Sequence, residues 1–440
     1  MDLDIDNKEQ MKTQTETPLI KSIALRKILF AHPSGNEFVR AALSGIQGSG
    51  LLDSFYTSVA CFPGSSLDRI ATAIPALSDL KKRTFAVNLQ SKTKTLPFRE
   101  MGRIAAAKAG FKNLVKHEVG YFSLDAVYHA LDRHVASFIQ RSSMDGIGAV
   151  YAYEDGAAFS FKAAKQRDLK CLYDLPIGYW RYARTLMAAE QDLRPEWAGT
   201  ITGFLDSEKK LARKDEEIKL ADHIFVASTF TATSLKEYPG QLPPISVIPY
   251  AFPSVNIGRT YNNNYNEPLK LLFVGGLSQR KGIANVFEAV KTLGKHVSLT
   301  VVGHKAVEDC AALNKALSEH KWIPSLPHAE ILNLMRQHDV LLFPSLFEGF
   351  GLVITEAMSQ GTPVITTDRT AGPDLLKHGE NGWLVEAGST GALQETIEKI
   401  LEHRNVVESV GRAALKTAEK RPWTKYGADM AQAVHKLLNE

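Results

Sequence analysis

Short apolar runs alternate with amphipathic stretches along most of the chain. Runs at Arg26–Ala31, Phe55–Ala60, Gly148–Ala152, Cys171–Tyr173, His223–Val226 and Ile245–Ile248 predict strands. The first runs into the turn His32-Pro33-Ser34-Gly35-Asn36, and a helix is expected from Glu37. Helical stretches lie between the others, including a long one over Glu196–Leu220, just after Pro195. From Gly258 to Pro268 the chain is polar, Asn-rich and without period, which suits a linker. A second alternating set follows at Leu269–Val274, Ser298–Val302, Val340–Phe343, Val364–Thr366 and Trp383–Val385.

Strands and helices in strict alternation predict an α/β fold of parallel, doubly wound sheets. The expected organisation is a tail over 1–22, a Rossmann-like domain over 23–255, a linker over 256–268 and a second Rossmann-like domain over 269–415. The remainder, 416–440, contains an amphipathic helix, Trp423–Leu438, expected to pack back toward the first domain. Ligands in such sheets bind at the carboxyl ends of the strands, and here those ends would face each other across a cleft.

A chain of 440 residues suits two or three domains. No apolar run reaches the roughly 18 residues that span a bilayer. The polar, acidic start, MDLDIDNKEQMKTQTETP, lacks a basic and apolar leader, so a loose tail rather than a signal peptide is expected. Three scattered cysteines, Cys61, Cys171 and Cys310, suggest neither a metal knuckle nor a disulfide framework and fit a reducing cytoplasm. A net charge of +4 does not call for a nucleic-acid partner. The charge is uneven, though: residues 81–120 hold ten bases against Glu100 and Glu118. Part of this stretch, Met101–Lys116, is expected to form an amphipathic helix. It is either a solvated helix on a core or a peripheral surface for anionic lipid or a phosphate-bearing acceptor.

The densest chemistry lies between Phe343 and Asp368, FPSLFEGFGLVITEAMSQGTPVITTD. Glu348 and Glu356 stand in an E-x7-E spacing around a Gly-Phe-Gly turn. Strand, glycine turn, helix and strand make a βαβ unit whose helix start aims N–H groups at an anion. The second domain opens with LLFVGGLSQRKG, where Gly275 and Gly276 let the backbone approach a ligand and Arg280 and Lys281 offer charge to a pyrophosphate. Taken alone, this is also a loop with two solvated bases. Two acidic or basic strand ends of the first domain, His32 and the turn Tyr153-Glu154-Asp155-Gly156, point at the cleft. His32 either contacts a substrate or caps and packs, and the two acids either bind acceptor hydroxyls or are solvated.

GGLSQRKG at 275–282, LTVVG at 299–303, the Phe343–Asp368 stretch and GENGWLVEAG at 379–388 together resemble the retaining GT-B glycosyltransferases, family 4-like (glycosyl transferases group 1). ADHIFVAST at 221–229 and VIPYAFP at 247–253 fit the end of that family's first domain. The resemblance implies a nucleotide-diphosphate sugar held mainly by the second domain and a glycan or lipid-linked acceptor held mainly by the first, with no cofactor. It assigns the diphosphate to Arg280 and Lys281, the transferred sugar to Glu348 and the ribose hydroxyls to Glu356. Backbone of Gly276, Gly349, Phe350 and Gly351 would approach sugar and phosphate, Ile323 the base, and Gly35 the diphosphate. The only D-x-D spacings sit in the tail, at Asp2–Asp6, so no metal is expected. The family commonly places a histidine at the end of a first-domain strand, near the sugar's C6 hydroxyl. Tyr173-Asp174 occupies that place here, which implies a donor altered at C6, or Asp174 in the role, or Tyr173 as a packed aromatic. The competing functions are a sugar-nucleotide epimerase on the same fold and a non-catalytic interaction protein.

Overall fold

In the computed structural model, which describes residues 26–203, 205–262 and 264–440, the alternation becomes two sheets with all pairings parallel. The expected tail over 1–22 lies outside those residues. β1 (Lys27–Ala31), β2 (Leu52–Thr57), β3 (Thr93–Thr95), β4 (Ile147–Tyr153), β5 (Lys170–Leu175), β6 (His223–Val226) and β7 (Ile245–Val247) run in the order β3-β2-β1-β4-β5-β6-β7. β8 (Leu269–Val274), β9 (Val297–Val302), β10 (Lys321–Ile323), β11 (Val340–Phe343), β12 (Val364–Thr367) and β13 (Trp383–Val385) run β10-β9-β8-β11-β12-β13. Strand order reverses between β1 and β4 and again between β8 and β11. Loops leaving such a point diverge to opposite faces and open a crevice.

Helices cover both faces, so the central strands read as continuous apolar runs. All four residues of β11 are buried, as are Ile28 to Ala31 of β1. In register, Phe30 of β1 stands beside Tyr151 of β4, their rings stacked at 4.8 Å. Two outer strands, β3 (TKT) and β10 (KWI), have no buried position and so leave no apolar run in the sequence.

Two expected helices are shorter than their polar–apolar period suggests. Over Glu196–Leu220 the chain makes a tight turn at Pro195–Thr200, and the helix begins only at Glu208, where Ser207 caps it by accepting from Lys210 N. The Met101–Lys116 helix is in fact Phe98–Lys108, ended by Gly110 at φ +74° and followed by a short turn, Lys112–Val115.

The two halves are interlocked. The Pro195–Thr200 turn crosses to the second sheet, where Trp197 joins the core and stacks on Phe287 at 6.0 Å. The last helix, Trp423–Asn439, returns to the first domain and lies on the helix Glu37–Gly48. Gly45 and Gly427 permit that approach: a Cβ on Gly45 would stand 1.9 Å from the Gly427 carbonyl oxygen. The polar connector is pinned as well. Buried Arg259 donates to the carbonyls of Met335 (3.0 Å) and His338 (2.6 Å).

Candidate functional site

Beyond β8 a short turn, Gln279–Lys281, is capped by Ser278, whose hydroxyl accepts from Arg280 N at 3.3 Å. Gly282 then takes φ +71°, and a Cβ there would lie 2.1 Å from the Pro344 carbonyl oxygen. Only glycine lets this turn press on the end of β11. Leu346 N donates to Arg280 O at 2.9 Å, which brings the cationic turn beside Glu348. Arg280 Nη1 donates to Phe347 O (2.8 Å) and to Glu348 Oε2 (3.2 Å), and Lys281 Nζ contacts the same Oε2. Lys281 also lies 4.8 Å above the Phe343 ring. Burial, with the Arg280 charge beside it, lowers the Lys281 pKa, while the Glu348 carboxylate in contact with it favours the charged form. Two cations and one carboxylate, all partly accessible, thus sit at the reversal point of the second sheet.

Gly351 at φ +89° starts the helix Leu352–Ser359, which carries Glu356. Burial raises the Glu356 pKa, and His328, whose Nε2 is 3.1 Å from Oε1, opposes that shift. Ile323 ends β10 and its carbonyl accepts from Gly303 N at 3.0 Å. Phe350 is buried against Tyr250 at 4.9 Å, so its ring packs and only its backbone can meet a ligand. Gly276 has nothing within 4 Å of where a Cβ would stand. Gly276→Ala therefore leaves the melting temperature unchanged. A rise in donor KM of roughly tenfold or more in that variant, about 1.4 kcal/mol, would report a ligand at this backbone, and an unchanged KM would remove Gly276 from the donor site.

Across from this cluster, at the reversal point of the first sheet, a cavity of about 220 Å³ is lined by His32, Asp125, Tyr128, Glu154, Asp155 and Lys210, among others. His32, Glu154 and Asp155 thus converge on one place. His32 Nδ1 is 3.0 Å from Ser34 N, and burial lowers its pKa to about 4, so the ring is neutral. Asp155 stands at φ +70°, outside the usual range for a side-chain-bearing residue, and accepts from Arg213 at 2.8 Å. Glu154 pairs with Lys214 at 3.3 Å, and burial pushes its pKa up to about 7 against that charge. Gly35 lies under Phe85, whose ring a Cβ would meet at 2.4 Å, so packing already demands a glycine there. One trio of metal-ligating type, His117, Glu118 and Asp206, lies nearby among the described residues, but Lys210 Nζ sits 3.1 Å from Asp206 and Ser207 N donates to Glu118 at 2.7 Å.

The model of the family described as glycosyl transferases group 1 matches residues 258–417. The second domain is a group 1 glycosyl transferase domain. Among curated proteins, the capsular polysaccharide biosynthesis glycosyltransferase CapM of Staphylococcus aureus is 29% identical over 167 residues, 37% of this chain and 44% of that protein. The phosphatidyl-myo-inositol mannosyltransferase of Mycobacterium leprae is 27% identical over 251 residues, 54% of this chain and 60% of that protein. The chain thus spans less than two thirds of the length of these relatives. Among solved structures, sucrose-phosphate synthase from Thermosynechococcus elongatus superposes with a TM-score of 0.62 at 17% identity, over 94% of this chain and 99% of that one. The fold is GT-B, two Rossmann-like α/β domains facing across a cleft.

Two residues expected to face the group 1 domain do not. Tyr173 and Asp174 lie inside β5, short of its end at Leu175, and a strand turns successive side chains to opposite faces. Tyr173 is fully buried and donates to Glu217 at 3.2 Å. Asp174, 4% exposed, accepts from Tyr151 at 2.5 Å within a cluster of tyrosines. Both side chains are closed off by packing, which contradicts a catalytic role for Asp174 and an acceptor contact for Tyr173; of the three readings of this place, the structure shows Tyr173 as a packed aromatic. Just past the strand end, Pro176 and Ile177 press on Gly349, and Gly178 lies under Phe347, both of the group 1 domain.

Burial raises the Asp174 pKa from its ordinary range to about 7, with the tyrosine hydroxyls opposing. The folded state therefore holds a proton there that the unfolded chain releases near pH 4, so this stabilisation is complete at acid pH and is lost as pH rises through 7. Asp174→Asn keeps an acceptor for Tyr151 but cannot ionise. Its stability relative to wild type should rise by about 1–4 kcal/mol between pH 4 and 8, measured by urea unfolding at each pH. A constant difference across that range would refute the buried-acid account.

Several important side chains carry no motif. Ser228 caps the helix Thr229–Ser234 and also donates to Gly349 O at 2.5 Å, joined by Thr231 at 2.9 Å. Thr229 N donates to Asp374 at 2.9 Å. Together they tie the first domain to the glycine turn of the group 1 domain. Glu217 accepts from the backbone of Asp155 (2.9 Å) and Ala157 (3.1 Å) and so fixes the cavity rim. Ser228 and Thr229 lie within the ADHIFVAST stretch at 221–229, which marks the end of the first domain but not these contacts.

Proposed function

We propose that this protein is a glycosyltransferase that moves a sugar from a nucleoside-diphosphate donor to a glycan or lipid-linked acceptor, with retention of anomeric configuration. The observation that carries the reading is the facing of two sites. Arg280, Lys281 and Glu348 stand at the reversal point of one sheet, and the cavity of His32, Glu154 and Asp155 stands at that of the other. Cleaving the donor leaves a diphosphate and places oxocarbenium character on the sugar. Arg280 and Lys281 are placed to stabilise the leaving charge, as two fixed cations can do without a metal. A diphosphate arriving there takes the cations over from Glu348, which frees that carboxylate to accept from sugar hydroxyls. Glu356 is assigned the ribose and the Gly349–Gly351 amides the sugar and phosphate. With the leaving phosphate on the same face as the incoming hydroxyl, the phosphate can accept the hydroxyl proton, and no protein nucleophile is required. The names of the capsular and phosphatidyl-myo-inositol relatives support a surface glycan or glycolipid as product.

A panel of nucleoside-diphosphate sugars scored by thermal shift tests the donor half of this reading, because a bound donor stabilises the fold by mass action. At about 100 times Kd the gain is roughly 2.7 kcal/mol. A panel with no stabilising member would overturn it. Conversion of a donor sugar with no acceptor present would point to an epimerase instead.

A further inference from the structure

Between Phe98 and Leu124 the surface is apolar and basic at once. Phe98, Phe111, Leu114, Val119, Tyr121 and Leu124 are exposed, Val119 at 74% and Phe98 at 63%. Lys112 and Lys116 are exposed among them. Arg99 lies 3.7 Å above the Tyr121 ring, so this pair presents an aromatic face backed by a cation. The stretch contains two carboxylates, and both are engaged internally. Glu100 is buried and held by Arg83 and by Arg103 at 2.7 Å, while Glu118 accepts from Ser207 N at 2.7 Å. The helix Phe98–Lys108 and the turns after it therefore offer rings and positive charge; Asp79, 3.1 Å from Lys108 at the far end of the helix, is the exposed acid paired with it, and Lys112 and Lys116 lie beyond that pair.

Clustered exposed apolar side chains mark a contact surface. The chemistry selects the occupant. Interleaved rings and ammonium groups match a layer that is anionic at its surface and apolar a few ångströms below. The surface is also continuous with the acceptor cavity, because His117, Leu124 and Asp125 belong to the cavity wall. We propose that residues 98–124 dock the protein on an anionic lipid surface, so that the cavity opens among the headgroups and receives a lipid-linked acceptor. The proposal rests on the transferase reading and narrows its acceptor to one presented by a membrane. No helix among the described residues is long and apolar enough to cross a bilayer, so the contact is peripheral.

The test uses the full chain with vesicles of phosphatidylcholine alone and of phosphatidylcholine mixed with phosphatidylglycerol. Co-sedimentation is expected with the mixed vesicles only, weakening as salt is raised. Phe111→Ser/Leu114→Ser and Lys112→Glu/Lys116→Glu are each expected to weaken it about tenfold or more. These side chains are exposed, so the melting temperature should not move, and the donor-induced thermal shift should persist in both variants. No sedimentation with mixed vesicles, or sedimentation indifferent to both variants, overturns the docking proposal while the donor shift keeps the transferase reading intact. Vesicle binding without any donor shift does the reverse. A dimer in size-exclusion chromatography that Phe111→Ser/Leu114→Ser dissolves, with no vesicle binding, would make the surface a self-interface and also overturn the proposal.

Discussion

Lys281→Ala is expected to lower kcat/KM for the donor by roughly 10²–10³-fold, the range seen when one preorganised group facing a developing charge is removed. Lys281 is inflexibly placed. It ends a capped turn, is set by Gly282 against Pro344, and lies over Phe343. Alanine keeps that backbone, so the loss should fall on turnover rather than on folding. Arg280 continues to hold Glu348 through its 3.2 Å contact, which spares the variant a wholly unpaired carboxylate. Because Lys281 and Glu348 act as a unit, Lys281→Ala/Glu348→Ala should lose far less than the two single losses combined. Steady-state kinetics with the donor found by thermal shift decides this. Full activity in Lys281→Ala would leave the cluster a structural ion pair.

Gly349→Ala should be nearly as damaging for a different reason. A Cβ at Gly349 would stand 2.3 Å from the Pro176 carbonyl oxygen and 2.6 Å from Ile177 Cα, and both belong to the backbone of the other domain. Backbone cannot rotate aside as a side chain can, so the domains must part. The Gly349 carbonyl would then leave Ser228 and Thr231. A displacement of about 1 Å between donor and acceptor groups costs on the order of 10² in rate. Circular dichroism should stay native, since no strand pairing within either sheet involves Gly349. Ser228→Ala deletes one hydrogen bond and adds no bulk, so its loss should be smaller. If Gly349→Ala turns over at the wild-type rate, chemistry does not require this closure.

Much of the fold could be read from the sequence because both sheets are parallel and covered on both faces. Strands such as VLLF at 340–343 and HIFV at 223–226 are uninterrupted apolar runs, and that signal survives without any structure. β3 and β10 escaped because an outer strand of three residues need not be apolar. The cluster of the second domain was legible for a local reason: Arg280 with Lys281, and Glu348 with Glu356, lie within short segments whose turns dictate their positions. The first-domain side was legible only in part. His32, Glu154 and Asp155 follow strands directly and do meet in a cavity, but Asp174 misled because the end of β5 lies beyond it. One residue of error in a strand reverses the face, and a polar side chain then reads as exposed when it is buried. The contacts of Glu217 and Ser228 were illegible because their partners are backbone groups distant in sequence, 62 and 121 residues away respectively, even though Ser228 itself lies in the ADHIFVAST stretch.

The crossing of Trp197 into the second core has a consequence for recombination. The unit that carries the Arg280, Lys281 and Glu348 cluster is not the contiguous segment after the connector. It includes the Pro195–Thr200 turn, whose Thr200 hydroxyl holds Gln279 N at 2.9 Å, just ahead of Arg280 and Lys281. In the same way, the first domain includes the returning helix Trp423–Asn439. A chimera that joins this second domain to the first domain of a relative must therefore exchange two separate pieces. A single junction at the connector would strand a tryptophan without its pocket on one side and leave a bare helix groove on the other.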